Sequence, residues 1–152
     1  MSHPVEPSSS SSTPVPRPRF VRERRIRFSH CDPAGIVFYP QYLVLFNGLV
    51  EDWFTEHLGV SYAGLLSSRR IGLPIVRLEC DFCAVSRMGD DVQFGLAVER
   101  VGTRSITLHL DCRADRELRV SSRQVLVFTN LDTHAAIEIP ADVRAALDTS
   151  VQ

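Results

Sequence analysis

The sequence predicts an α+β domain in which an antiparallel sheet of about five strands curls around one long central helix. From Gln41 to Leu58, apolar residues fall at Tyr42, Leu43, Phe46, Leu49, Val50, Trp53 and Phe54, three and four apart, before a natural C-cap at Gly59. From Val76 onward the apolar period changes from helical spacing to two. A helix with so wide an apolar face needs to be wrapped rather than laid on a surface, and the strands are the only material to wrap it.

The elements follow in order. Met1 to Arg19, MSHPVEPSSSSSTPVPRPR, has almost no large apolar side chains. It cannot bury enough surface to offset its ordering entropy, so residues 1–19 are expected to be a disordered tail and residues 20–148 the folded domain. Phe20, Ile26 and Phe28 share a parity with arginines between them, which suggests a short first strand with an uneven inner face. After the helix, Val76, Leu78, Cys80, Phe82 and Ala84 alternate with polar residues, as do Val92, Phe94, Leu96 and Val98. Ile106, Leu108, Leu110 and Cys112 continue the scheme, and Val120 to Leu131 forms a longer strand. Turn residues at Met88-Gly89-Asp90, Val101-Gly102-Thr103 and Ala114-Asp115-Arg116 separate these runs, so a four-strand antiparallel meander with one buried face is expected.

Composition narrows the chemistry. The chain has 152 residues, 44% of them hydrophobic, enough for one core, and its net charge of −1 gives no global field toward nucleic acid or membrane. All 17 basic residues are arginine, which removes lysine nucleophiles, Schiff bases and a P-loop lysine. No run is long enough for a transmembrane helix, and the N-terminus lacks the apolar segment of a secretory signal. The four cysteines then read as reduced thiols of a cytoplasmic protein. Six arginines between Arg17 and Arg27 could form a phosphate-binding arm, but a solvated charge run is the preferred reading.

Within SHCDPAGIVFYPQY, from Ser29 to Tyr42, three residues carry reactive groups. His30, Cys31 and Asp32 are consecutive, so in an extended segment they point to alternate sides and cannot converge on one atom as a nucleophilic triad must. No feature marks His57, His109 or His134 as a distant base for Cys31. Cys80 and Cys83 form C-x-x-C, but three apart on a strand they face opposite sides, which spoils shared metal ligation. Asp32 differs, because Pro33-Ala34-Gly35 forms a turn that fixes its carboxylate just ahead of a helix start whose first amides lack intrahelical partners. Such amides stabilise a developing oxyanion, and a carboxylate beside them can attack a carbonyl or activate water. The competing role is structural, an Asx turn or a helix cap.

The arrangement D-P-A-G-I-V-F-Y-P-Q-Y, followed by an apolar helix and later by G-L-P-I-V, resembles the 4-hydroxybenzoyl-CoA thioesterase family of hotdog-fold proteins over about Arg25 to Pro140. The resemblance implies a hotdog fold and at least a dimer, commonly a tetramer, with active sites at the subunit interface. Carried over by position, it implies Asp32 as the catalytic carboxylate, nucleophile or general base, and the backbone amide of Tyr39 as oxyanion donor. Gly35 would let the loop approach the substrate. The acyl group would lie near Asn47 and Glu51, with Leu73 and Pro74 closing another wall. Asn47 stands where relatives selective for 4-hydroxybenzoyl groups carry an acidic residue, which weakens the implication of 4-hydroxyl selectivity. Arg100 and Arg104 are candidates for the CoA phosphates.

The expected function is thus hydrolysis of an aromatic, hydroxybenzoyl-like, or short-chain acyl-CoA to free acid and CoA. It needs no cofactor or metal, and its partners are an acyl-CoA and further copies of the chain. A hydratase would need an Asp and His pair that is not apparent. The alternative from another class is a non-catalytic acyl-CoA or acyl-carrier-protein binding module.

Overall fold

The computed structural model describes residues 20–150, so the tail expected over residues 1–19 lies outside the described residues. Helix α1 runs Tyr39–Asp52 and continues as a wider π-helical turn, Trp53–His57, closed by Leu58 N–H donating to Trp53 O at 2.9 Å. The α-helical spacing buries Tyr42, Phe46, Leu49 and Val50, and the wider turn then brings the adjacent Trp53 and Phe54 into the core together. Gly59 at φ +69° ends the helix, and Val60 N–H caps Phe54 O at 2.9 Å. The helix expected from Gln41 therefore begins two residues earlier.

The wrapping sheet has the strands β1 (Phe20–Arg25), β3 (Ile75–Phe82), β4 (Asp91–Val101), β5 (Ser105–Ala114) and β6 (Glu117–Val127), in the order β1-β4-β5-β6-β3 and antiparallel throughout. This is the hotdog arrangement. Its inner face carries Val92, Phe94, Leu96, Ile106, Leu108, Leu110, Cys112, Val120 and Leu126, all buried with the helix side chains in one core. Phe46 meets Phe94 edge-on at 5.6 Å between ring centres. The arginines that made the inner face of β1 uneven reach across to the helix: Arg22 pairs with Glu56, and Arg24 with Asp52 at 2.7 Å.

Four expectations are corrected. The meander has three strands, because β3 crosses to pair with β6 instead of β4. As the last strand of the sheet, β3 leaves much of its apolar face uncovered: Val76, Leu78 and Phe82 are exposed. Phe28 is 82% exposed in a 3-10 turn, Phe28–His30, because the strand ends at Arg25. The strand expected to Leu131 stops at Val127, and Thr129–Asn130 (β7) pairs separately with Ile71–Gly72 (β2). A Cβ at Gly72 would stand 2.5 Å from Leu131 Cδ2, so a larger residue there would push that side chain aside.

Two short helices complete the unit, α2 (Tyr62–Ser67) and α3 (Ala141–Ser150). The latter inserts Val143 and Leu147 into the core and is held to the α2 end by a two-bond Arg69–Asp142 pair at 2.8 and 2.9 Å.

Replacing Phe46, wholly buried between helix and sheet, by Ala should lower unfolding free energy by about 3–5 kcal/mol in urea denaturation without changing the far-ultraviolet spectrum.

Candidate active site

The segment before α1 folds back on itself as a small hairpin. Cys31 and Val37 form an antiparallel bridge, Asp32 N–H donates to Ile36 O at 2.9 Å, and Phe38 N–H donates to His30 O at 2.9 Å. Its tip is the turn Asp32-Pro33-Ala34-Gly35, closed by Gly35 N–H donating to Asp32 O at 3.0 Å. Pro33 presets the first corner, and Gly35 accepts φ +77°. Space around Gly35 is open, with no atom within 4 Å of where a Cβ would be, so the turn conformation is what demands glycine.

Asp32 Oδ1 accepts the Ala34 amide at 2.9 Å, an Asx turn. It does not cap the helix, whose N-cap is the extended Phe38 with no side-chain bond. The chain runs straight from this hairpin into α1, with Tyr39 first and Pro40 second. Pro40 has no N–H to offer, and Gln41 N–H is taken by Phe38 O at 2.9 Å. Among the described residues Tyr39 N–H has no hydrogen-bond acceptor, so the helix start presents one open donor at its positive end. The Tyr39 ring lies outside, edge-on to Phe82 at 6.0 Å.

His30 and Cys31 are otherwise engaged. His30 Nδ1 accepts the Arg27 amide at 2.9 Å, and burial, then the Arg27 charge, lowers its pKa. Burial and the neighbouring Asp32 carboxylate push the Cys31 thiol up, away from a reactive thiolate. The remaining histidines have other surroundings: His57 lies against Phe20, His109 Nε2 against Ser121 Oγ at 3.0 Å, and His134 is exposed. Among the described residues no three His, Cys, Asp or Glu side chains converge as a metal site would require.

Two hollows flank the helix. One, of about 290 Å³, opens beside Tyr39 and is walled by Val37, Tyr42, Phe82, Val85 and Ser86. The other, of about 340 Å³, lies further along α1 and is walled by Asn47, Val50, Glu51, Tyr62, Leu73 and Leu126. The structure thus brings Asn47, Glu51 and Leu73 together, apart from Asp32 and Tyr39. Pro74 is exposed next to that wall, its carbonyl accepting Val127 N–H at 3.1 Å. Arg100 and Arg104 sit at the β4–β5 turn, where Arg100 borders a hollow of about 510 Å³ with Thr103, Glu138 and Arg144. β4 starts next to the Asp32 hairpin and ends there after 11 residues, so within one chain these arginines lie on the order of 30 Å away.

The thioesterase-like superfamily matches residues 26–147. The chain belongs to that superfamily. Among its relatives, the 1,4-dihydroxy-2-naphthoyl-CoA hydrolase of Synechocystis is 27% identical over 129 residues, covering 84% of this chain and 88% of that one. The 4-hydroxybenzoyl-CoA thioesterase of Pseudomonas sp. is 27% identical over 79% of this chain and 91% of its own. Among solved structures, a gentisyl-coenzyme A thioesterase superposes with TM-score 0.75 at 30% identity, covering 82% of this chain and 98% of that one. A thioesterase-superfamily structure from Jannaschia sp. reaches TM-score 0.82 at 25% identity, covering 92% and 98%.

In this thioesterase-superfamily chain, the residues beneath the hairpin were the ones sequence patterns did not single out. Val37 N–H donates to Ser86 O at 3.0 Å, and Met88 N–H to Gly35 O at 3.0 Å, so residues 86–88 form the shelf on which the Asp32 hairpin rests. The Tyr42 hydroxyl lies buried beside Ser86 without an aligned hydrogen bond, and burial pushes its pKa up. Tyr42 and residues 86–88 lie far apart along the chain, and the only local signal of the shelf was the turn Met88-Gly89-Asp90.

Behind this shelf, burial pushes the Cys112 thiol from an ordinary 9.0 up to about 12. Between those values the unfolded chain has lost a proton that the folded chain keeps. The stability tied to the neutral thiol is therefore complete below about pH 9 and lost as pH rises toward 12, with a slope approaching ~1.4 kcal/mol per pH unit. Urea denaturation at about pH 8, 9 and 10 should show this fall in the wild type, and a shallower one in Cys112→Ala.

Proposed function

We propose that this protein is an acyl-CoA thioesterase that hydrolyses an aromatic, hydroxybenzoyl-like, or short-chain acyl-CoA to the free acid and CoA. The observation that carries this is the hairpin joining a half-exposed carboxylate, Asp32, to the open amide donor of Tyr39 through one short hydrogen-bonded unit. The substrate class is supported by the relatives, whose names specify hydroxynaphthoyl, hydroxybenzoyl and gentisyl thioesters.

In this reading the thioester oxygen accepts from Tyr39 N–H, and the helix dipole favours the charge that develops on it. Asp32 uses one carboxylate oxygen to hold its own turn and presents the other, either attacking the carbonyl carbon or taking a proton from the attacking water. Collapse of the tetrahedral species expels CoA thiolate. Acid release follows, by water attack on a mixed anhydride in the first case and directly in the second. Gly35 keeps the turn low, so substrate can reach the carboxylate. The hollow at Asn47 and Leu73, with Pro74 at its rim, takes the acyl group of a thioester held at the hairpin of a neighbouring subunit, Asn47 offering an amide where an acidic residue would favour a phenolic hydroxyl. Arg100 and Arg104 fit CoA phosphates only if a neighbouring subunit brings them to the site, which the assembly below would have to do.

The assembly we propose is a homodimer, itself able to pair into a tetramer. Its support is β3, an edge strand that among the described residues has one side of its backbone unpaired and Ile75, Val76, Leu78 and Phe82 exposed. All four cysteines are free thiols, which suits the reducing cytoplasm we assign it to.

Two measurements test this. Asn at position 32 can still accept the Ala34 amide, so Asp32→Asn should fold normally while free-thiol release from benzoyl-, hydroxybenzoyl- and short aliphatic acyl-CoAs falls by about 10²–10⁴-fold. Tight acyl-CoA binding by the wild type with no turnover would instead favour a binding module in which Asp32 only makes its turn. For the assembly, Val76→Asp places a charge on the bare edge and should shift the light-scattering mass toward the monomer. An unchanged mass would locate the interface elsewhere.

A further inference from the structure

We propose that Arg119 is a positioning residue that clamps the Asp32 hairpin in place from beneath, an inference that rests on the thioesterase reading of Asp32. Arg119 owes its placement to a β-bulge. Cys112 pairs with Val120 but Arg113 with Leu118, so Arg119 is the extra residue on β6 and is turned out of the ladder. Bulges of this kind re-aim a side chain. Here the guanidinium is carried under the 83–90 segment, with only 14% of the side chain exposed.

From that position it fastens the shelf at several points. Nη1 donates to Val85 O at 2.7 Å, Ser86 Oγ at 3.3 Å and Asp90 Oδ2 at 3.1 Å. The Arg119 carbonyl accepts Cys83 N–H at 2.8 Å and Ala84 N–H at 3.1 Å. Asp90 Oδ2 in turn accepts the Arg87 amide at 2.9 Å. That amide first, and the Arg119 guanidinium after it, hold the Asp90 carboxyl below its ordinary value, so the acceptor stays charged. On its outer side Arg119 Nε stands 2.7 Å from Glu117.

The shelf then holds the hairpin from both flanks. Ser86 O receives Val37 N–H, Gly35 O receives Met88 N–H, and Ile36 bridges to Arg87. Asp90 O and Gly89 N–H bind the main chain of Ile26 at 2.8 Å each, anchoring the strand that leads into the hairpin. The chain of bonds runs Arg119, then residues 85–90, then residues 35–37, then Asp32 and the Tyr39 amide. A few of these links set the geometry of both groups, and a displacement of about 1 Å at a reacting centre costs on the order of 10²-fold in rate.

The test uses Arg119→Gln, with Glu117→Gln as a control that removes only the outer ion pair. Amide hydrogen exchange is read at residues 31–39 and in β5, and kcat and KM are measured with the best acyl-CoA of the panel. Arg119→Gln should keep its β5 protection while exchange at Val37 and its neighbours quickens by at least about 10-fold. Its kcat should drop on the order of 10–100-fold with KM within about twofold, and Glu117→Gln should match the wild type in both. Added guanidinium should restore part of kcat to Arg119→Ala. Wild-type hairpin exchange and wild-type kcat in folded Arg119→Gln would overturn the proposal, as would an equal loss of protection in β5 and the hairpin. If Arg119→Gln does not fold, Asp90→Asn removes the charged acceptor from the same clamp and is held to the same outcomes. A wild type that hydrolyses no acyl-CoA refutes the thioesterase reading, while the exchange experiment decides the clamp by itself.

Discussion

The structure depends on one burial problem, the apolar face of α1. Phe46, Leu49, Trp53 and Phe54 cannot be left in water, and each is nearly or wholly removed from it here. A flat sheet would touch only one line of such a helix, so the five strands curl around it and the inner faces of β4, β5 and β6 become its lining. The π-helical turn is part of the same solution, since it sends Trp53 and Phe54 into the core from consecutive positions. Arg22 and Arg24 of β1 are recruited too, each paired with a carboxylate on the helix. Such exposed pairs contribute little to stability individually, but they show that the charged parity of β1 faces the helix.

Burying the helix this way also fixes where its first turn emerges. The N-terminus of α1 comes out at the end of the sheet where β4 begins, and the chain entering it is the Asp32 hairpin. Unpaired donor and carboxylate are therefore brought together by chain continuity, and the shelf at residues 86–90 holds the arrangement. The open amide arises from local chemistry: Phe38 offers no capping side chain, Pro40 has no N–H, and Gln41 is already bonded. One more capping side chain there would close the position that the proposed reaction needs.

A single chain leaves one side of this design unfinished. β3 ends the sheet, so among the described residues it carries Val76, Leu78 and Phe82 into solvent and leaves its outer backbone unpaired. The separation of the Asn47 hollow from the Tyr39 hollow, and of Arg100 and Arg104 from the Asp32 hairpin, points the same way. The components of the proposed acyl-CoA site are distributed over one chain at distances that the proposed neighbouring copy would close.

What the sequence determined by itself was everything governed by neighbours along the chain. The helix was legible because its apolar residues recur at its own period, and Gly59 marked its end. The Asp32 turn was legible because Pro33 and Gly35 have few conformations to choose from. Strand existence followed from alternation. Strand order did not, because a run of period two states which face is apolar and nothing about which strand lies beside it. β3 was therefore misplaced in the meander, and its alternation was read as burial when the tertiary structure makes it an edge. Phe28 was assigned inward by parity alone, although the strand had already ended. The clamp under the hairpin was hidden for the same reason: Arg119, Ser86 and Asp90 are ordinary residues until a one-residue bulge in β6 turns a guanidinium toward them, and bulges are decided by pairing across strands, which only the folded chain possesses.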